Sequence, residues 1–340
     1  MRSGTPIEVA GPWYDDLERG QCFDEAPGLT LSAGHAALHQ SIVGDRLRLA
    51  LDAHLCAEVT GAEPPIAHPG LVCDVAIGQS TLATQRVIAN LFYRGLALRR
   101  APRIGDTLRT TTEVVALRDT SARPGRAPTG LAALRVRTVD QDDRPVLDYH
   151  RCAMLPMRED AASPGHADDL DAISAELTSD ALHDVIGDWD LDAFRRRVPG
   201  RHGDALRPGT VYVVEGGDSV TCAPELARMT LNVAKAHTDP TASGRGQRLV
   251  YGGHTIGIAL QHAGRALPNL VTVVAWRSCD HLGPVFEGDV LRSTVTLDAV
   301  DSLPDRRGHS LELHVETAAE QIADATPRPV LDWRLVAVMA

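Results

Sequence analysis

Apolar and polar positions follow one order along this chain, twice. From Ser32 the segment Ala33-Gly-His-Ala-Ala-Leu-His-Gln-Ser-Ile-Val carries apolar residues at helical spacing, with Ser32 placed to accept from the free N–H groups of the first turn. A second helix is predicted from about Leu47 to Val59, and the loop Glu63-Pro-Pro-Ile-Ala-His68-Pro-Gly70 ends it. A third pattern, apolar on one face and small on the other, runs from about Leu71 to Arg86. The period then drops towards two. Val87-Ile-Ala-Asn-Leu-Phe-Tyr, Thr107-Leu-Arg-Thr-Thr-Thr-Glu-Val-Val, Ala132-Ala-Leu-Arg-Val-Arg-Thr-Val and Val146-Leu-Asp-Tyr-His-Arg-Cys-Ala-Met are β-branched, partly alternating and bounded by Gly, Pro and Asp, which predicts strands.

Residues from about Met157 to Asp180 are acidic, bear Pro and Gly, and show no apolar period, as a linker does. Beyond them the order returns. Thr221-Cys-Ala-Pro-Glu-Leu-Ala-Arg-Met-Thr-Leu reads as a helix capped by Thr221, and the loop Tyr251-Gly-Gly-His opens another helix, Thr255 to Ala266. Strands follow at Val271-Thr-Val-Val-Ala-Trp, Val290-Leu-Arg-Ser-Thr-Val-Thr-Leu, His309-Ser-Leu-Glu-Leu-His-Val and Val330-Leu-Asp-Trp-Arg-Leu-Val-Ala-Val-Met.

The return is literal in places. Gly105-Asp-Thr-Leu-Arg recurs as Gly288-Asp-Val-Leu-Arg, Arg144-Pro-Val-Leu-Asp-Tyr as Arg328-Pro-Val-Leu-Asp-Trp, and Ala67-His68-Pro-Gly as Val250-Tyr251-Gly-Gly. The offsets, 288 from 105, 328 from 144 and 251 from 68, agree within one residue. We read a tandem duplication of one α+β unit: residues 1–156, an acidic linker at 157–180, and residues 181–340.

Composition narrows the function. A length of 340 residues suits two such units. With 44% apolar but only 4% aromatic residues, the cores must be built from Ala, Val and Leu. A net charge of −11 argues against nucleic acid or an anionic membrane as partner, although Arg94, Arg99, Arg100 and Arg103 cluster locally. Six cysteines without CxxC or CxH spacing fit reduced core thiols, not a disulfide framework or a metal site. The first residues carry no apolar signal core, and no run approaches the ~18 apolar residues of a membrane span, so the expectation is a cytoplasmic protein.

Polar chemistry concentrates in Leu231-Asn-Val-Ala-Lys-Ala-His237-Thr-Asp239-Pro and Leu249-Val-Tyr251-Gly-Gly-His254. His237 suits a base, because an unperturbed imidazole titrates near neutral pH. Asn232 can hold a water, and an amide here equally suits a backbone cap. Asp239 is placed to orient the imidazole or to serve as a solvated helix cap. Gly252 and Gly253 at a helix start would aim N–H groups at a developing oxyanion. Tyr251 and His254 could line a pocket, or Tyr251 could fill core. Asp45 with His68 is the corresponding pair in the first half. Asp280-His281, a second polar pair, reads first as a loop feature and second as a pocket-edge feature.

The long helix followed by strands, the Gly-Asp-x-Leu strand start and the Gly-Gly helix entry resemble the hotdog fold. Two copies in one chain resemble the double-hotdog members of the MaoC-like, (R)-specific enoyl-CoA hydratase group, above all its mesaconyl-CoA hydratase (β-methylmalyl-CoA dehydratase) branch. That group's motif is Gly-Asp-x-Asn-Pro-x-His, often with Asp two residues later. The first half keeps Gly44-Asp45 but has Leu47 and Arg48 for Asn-Pro and Ala50 for His, with Asp52 as the trailing acid. The second keeps His237 and Asp239 but has Asn232 for Asp. The resemblance implies a hydratase or dehydratase of a short or branched enoyl-CoA or 3-hydroxyacyl-CoA, with His237 as base, Asn232 holding water and the Gly253 N–H facing the thioester oxygen. It implies no metal or redox cofactor, coenzyme A arriving as part of the substrate, and it allows a homodimer. An acyl-CoA thioesterase and a non-catalytic acyl-CoA-binding protein are the alternatives.

Overall fold

A computed structural model describes residues 7–340 apart from 122–124, 126, 160–161, 178–183, 243–245, 305–307 and 322–323. The first half opens with two short strands, β1 (Cys22–Phe23) and β2 (Leu29–Thr30), and continues with helices α1 (Ala33–Val43), α2 (Arg48–Leu51), α3 (Ala53–Thr60) and α4 (Pro69–Gln79). Four long strands follow: β3 (Ala89–Leu98), β4 (Thr107–Asp119), β5 (Thr129–Val139) and β6 (Pro145–Pro156). The second half has α5 (Leu191–Arg197), β7 (Val211–Val213), β8 (Asp218–Ser219), α6 (Ala223–Met229) and α7 (Gly252–Ala266). It closes with β9 (Leu270–His281), β10 (Val290–Ser302), β11 (His309–Gln321) and β12 (Asp324–Met339).

All the long strands join one antiparallel sheet in the order β1-β4-β5-β6-β3-β9-β12-β11-β10-β7. Counted outward from the centre, each half runs through its first, fourth, third and second long strand, so the repeat in the sequence is a repeat in topology. The seam is β3 against β9, with Tyr93 opposite Cys279 and Leu96 opposite Trp276. Strand alternation sends Leu108, Thr110, Thr112 and Val114 inward from β4 and leaves Arg109 and Thr111 exposed. On the inner face α4 packs beside α7, as two hotdog helices wrapped by one sheet.

The repeated segments take equivalent roles. His68 and Tyr251 are the N-cap residues of α4 and α7, and Gly105 and Gly288 both adopt positive φ, 107° and 95°, at the turns into β4 and β10. Several element limits differ from the sequence pattern for local reasons. The helix expected over Leu47–Val59 is broken at Asp52, whose carboxylate accepts from His54 and Leu55 N–H at 3.0 Å and restarts the helix. The helix expected to reach Arg86 ends at Gln79, because the Ser80 and Thr81 hydroxyls bond the carbonyls of Ile77 and Gly78 at 2.6 and 2.5 Å and a 3-10 turn follows. Thr221 is not a cap: α6 starts at Ala223 after Cys222 at φ 58°, and Glu287 accepts from the Ala223 N–H. α7 begins at Gly252 rather than Thr255.

The expected linker is partly structured. Asp168 N–H donates to Leu117 O, Arg94 holds the carbonyls of Leu170 and Ile173, and Leu170 packs on the sheet with Phe92, Leu131 and Cys152. Its end, 178–180, lies outside the described residues. Arg197 then ties α5 to Glu58 of α3 at 2.7 Å. The cysteines are free thiols, Cys22 and Cys222 exposed and the other four buried. No described helix is long and apolar enough to cross a membrane.

Candidate active site

A cavity of about 560 Å³ lies between the start of β3 and the N-terminal end of α7, and its wall includes Asn232, His237, Tyr251 and Gly252. Its floor comes from the first half, through Thr84, Tyr93 and Arg151. The segment that carries Asn232 and His237 is held against α4: Val233 N–H donates to Thr81 Oγ1 at 2.9 Å. At Gly78 of α4 a Cβ would stand 1.8 Å from the Thr230 carbonyl oxygen, so only glycine admits this approach.

His237 ends a 3-10 turn, Lys235–His237, and is buried. Its Nδ1 lies 3.0 Å from Leu249 O; a carbonyl only accepts, so the proton sits on Nδ1 and the Nε2 lone pair is free. Burial lowers its pKa, the Leu249 carbonyl opposes this, and the positive charge of Arg151 lowers it further. The ring is therefore a neutral base at neutral pH. Asn232 caps the backbone, its Oδ1 accepting from Ala234 N–H at 3.0 Å, while Nδ2 is buried with no hydrogen-bond partner among the described residues.

The other candidates divide. Tyr251 lines the cavity with its ring centroid 5.8 Å from that of His237, and its hydroxyl donates to Asp74 Oδ1 at 3.1 Å. Gly252 lines the cavity, whereas Gly253 does not: a Cβ there would meet Asp74 Oδ1 at 2.0 Å. His254 is fully buried off the cavity, with neither ring nitrogen partnered among the described residues, and burial followed by the charge of His39 pushes it down to about 4. Asp239 is exposed, and its Oδ1 accepts from Thr241 N and Oγ1 at 2.9 and 2.7 Å.

Asp45 and His68 belong to a separate buried cluster. His39 Nδ1 donates to Asp45 Oδ2 at 2.6 Å, and His39 Nε2 to Asp74 Oδ2 at 3.2 Å. Burial opposes a charge on His39, but the two carboxylates outweigh it and raise its pKa to about 10. His68 Nδ1 accepts from Gly70 N–H at 3.1 Å, and burial holds this ring neutral, at about 4. His39, Asp45 and His68 are the described group whose ligand atoms lie close enough to hold a metal, but Asp45 Oδ2 and His68 Nδ1 already serve as acceptors.

Arg151 at the cavity went unmarked in the sequence, and His281 read there first as a loop feature and second as a pocket edge. Arg151 is buried and donates to Ser80 O at 3.1 Å and Thr84 Oγ1 at 2.8 Å, and no described carboxylate lies within 4 Å of it. His281, expected in a loop, is the last residue of β9 and lines the cavity. Period two was the available signal: Arg151 falls on the face of Tyr149, and His281 on the face of Cys279.

A sequence profile described as mesaconyl-CoA hydratase matches residues 5–269. The chain belongs to the mesaconyl-CoA hydratase family. Members of this family are hydro-lyases. A mesaconyl-CoA hydratase of Cereibacter sphaeroides is 28% identical over 290 residues, 84% of this chain and 82% of that protein. A β-methylmalyl-CoA dehydratase of Chloroflexus aurantiacus is 28% identical over 313 residues, 87% of this chain and 84% of that one. Among solved structures, Rv0216 of Mycobacterium tuberculosis, described as a conserved hypothetical protein with a double hotdog fold, superposes with TM-score 0.91 at 55% identity, covering 98% of this chain and all of that one. A MaoC domain dehydratase of Chloroflexus aurantiacus shares the fold at TM-score 0.83 and 23% identity, over 98% and 99% of the two chains. The double-hotdog expectation therefore holds.

Proposed function

We propose that this member of the mesaconyl-CoA hydratase family adds water reversibly across the 2,3 bond of a short or branched enoyl-CoA that carries a distal carboxylate, as mesaconyl-CoA does. The observation that carries the reading is the His237 ring, fixed by Leu249 so that a neutral Nε2 remains free at the cavity beside the unpartnered Asn232 amide. His237 takes a proton from water that the Asn232 Nδ2–H orients, and the oxygen adds at C3. The electron pair moves to the thioester oxygen, where the first-turn N–H groups of α7, starting at Gly252 on the cavity wall, stabilise the enolate. Arg151, a buried cation with no described carboxylate within 4 Å, supplies the partner for the distal carboxylate. No step calls on a metal or redox cofactor.

The test is loss of enoyl absorbance with mesaconyl-CoA and crotonyl-CoA, run beside thiol release. His237→Ala should lower kcat by roughly 10²- to 10⁴-fold with the melting temperature little changed. In the wild type, kcat/KM should fall as pH drops through a value below the ordinary imidazole 6.5, because burial lowers the His237 pKa. Wild-type rates in a folded His237→Ala refute the assignment, and thiol release without hydration makes the protein a thioesterase.

A further inference from the structure

Hydration needs a second proton transfer, onto C2, and Asn232 stands where the resembled motif has an acid; an amide cannot deliver that proton. The cavity wall offers few alternatives. Arg86 and Arg151 stay protonated, and burial pushes the Tyr93 and Tyr251 hydroxyls well above their usual range, with Tyr251 already donating to Asp74. Among the titratable side chains described on this wall, two imidazoles are left, those of His237 and His281.

His281 reaches the cavity at the end of β9, with its ring edge-on to Tyr93 at 5.8 Å between centroids. Its Nε2 is buried, without a hydrogen-bond partner among the described residues. It lies against the start of α7: a Cβ on Gly252 would come within 2.6 Å of that Nε2. The first glycine of the Gly-Gly turn is thus the space the imidazole occupies. Burial, and after it the charge of His237, pushes the His281 pKa down to about 4, so the ring of the free enzyme is neutral.

Building on the hydratase reading above, we propose that His281 is a catalytic residue that exchanges the C2 proton, so that two imidazoles share the work of the missing acid/base pair. In hydration His237 Nε2 accepts a proton from water, the C3–O bond forms, and the C2=C3 pair becomes the enolate. The enolate then takes a proton at C2 from the His281 imidazolium, leaving water added, His237 protonated and His281 neutral. Solvent at the cavity mouth moves one proton back before the next turnover. Because burial holds the free His281 ring neutral, the proton it delivers is taken up as substrate binds, where the carboxylate of the acyl group favours a positive ring.

The experiment compares His281→Gln, His237→Gln and Gly252→Ala with the wild type. It reads hydration of mesaconyl-CoA and, by mass spectrometry in D2O, C2 exchange of the 3-hydroxyacyl-CoA product. His281→Gln should lose roughly 10²- to 10⁴-fold in kcat with KM within a few-fold, and should lose C2 exchange. His237→Gln should lose hydration but keep C2 exchange. Gly252→Ala retains both imidazoles and every backbone N–H but displaces the His281 ring, so it should behave as His281→Gln does, and it decides the matter if His281→Gln does not fold. Hydration at the wild-type rate in either of those two variants overturns the proposal, as does C2 exchange in His281→Gln that matches His237→Gln. A wild type that hydrates no enoyl-CoA overturns the hydratase reading as well; activity retained in His281→Gln overturns this inference alone.

Discussion

Replacing Arg151 by Met separates a charge kept for substrate from one kept for the fold. The guanidinium is buried and makes two hydrogen bonds, to Ser80 O and Thr84 Oγ1, but has no described carboxylate within 4 Å. If a substrate carboxylate completes the pair, removing the cation strands a buried anion, which costs about 3–5 kcal/mol. At about 1.4 kcal/mol per decade, kcat/KM for mesaconyl-CoA should fall roughly 10²- to 10³-fold. For crotonyl-CoA, which lacks the carboxylate, the same change should be no more than about threefold, since Met fills the space without a charge to desolvate. Stability moves little because two effects oppose. Loss of the two bonds to a charged donor costs about 1.5–3 kcal/mol each, and relief of an unpaired buried cation returns several. The assays are steady-state hydration of both thioesters and a thermal melt, with Arg151→Lys as control, which keeps charge but loses the planar fork and should lie between. An equal fall for both thioesters, or a melt lowered by ten degrees, would refute the reasoning and make Arg151 a structural residue.

Two further outcomes test the packing around the site. His39 has its pKa raised to about 10 by Asp45 and Asp74 against the cost of burial, so its contribution is fully present below pH 6.5 and is lost as pH rises through about 10. The unfolding free energy from urea titration should therefore drop between pH 7 and 10, by on the order of a few kcal/mol, and His39→Gln should flatten that slope; an unchanged slope would count against a charged His39. Gly78→Ala puts a Cβ 1.8 Å from Thr230 O and should destabilise by about 1–3 kcal/mol in urea, with loss of activity as the Asn232 segment is pushed away; a variant as stable and active as the wild type would mean that this approach is loose.

What the sequence disclosed follows from what repeats and what is local. The duplication was legible because turn glycines and the two helix entries are set by backbone geometry: Gly105 and Gly288 need positive φ, and His68 and Tyr251 both stand at N-caps. His237 and Asn232 were legible as a short-range polar pair, and they do reach one cavity. Arg151 was not, and His281 only as the second reading of a polar pair, because each reaches the cavity through strand pairing and depends on sheet register, which no local pattern fixes. Asp74 gave a signal that was passed over, a carboxylate inside the apolar run Leu71-Val-Cys-Asp-Val-Ala-Ile. The helix limits missed at Asp52 and Gln79 turned on side-chain hydrogen bonds that periodicity does not register.

The first half bears on the site even though its own acid is occupied. Asp45 sits at the motif position that Asn232 fills in the second half, yet its carboxylate accepts from His39 and does not line the cavity of His237. The chain continues: His39 bonds Asp74, and Asp74 receives the hydroxyl of Tyr251 at the head of α7. Four side chains thus link the buried acid of one half to the cavity wall of the other. With both acids ionised the chain needs the His39 imidazolium, whereas burial raises the Asp74 pKa and a protonated Asp74 would instead donate to a neutral His39 Nε2. Gly253 has no Cβ because Asp74 stands there, and Gly252 has none because His281 stands there. The Gly-Gly turn is therefore demanded twice by packing, independently of any oxyanion.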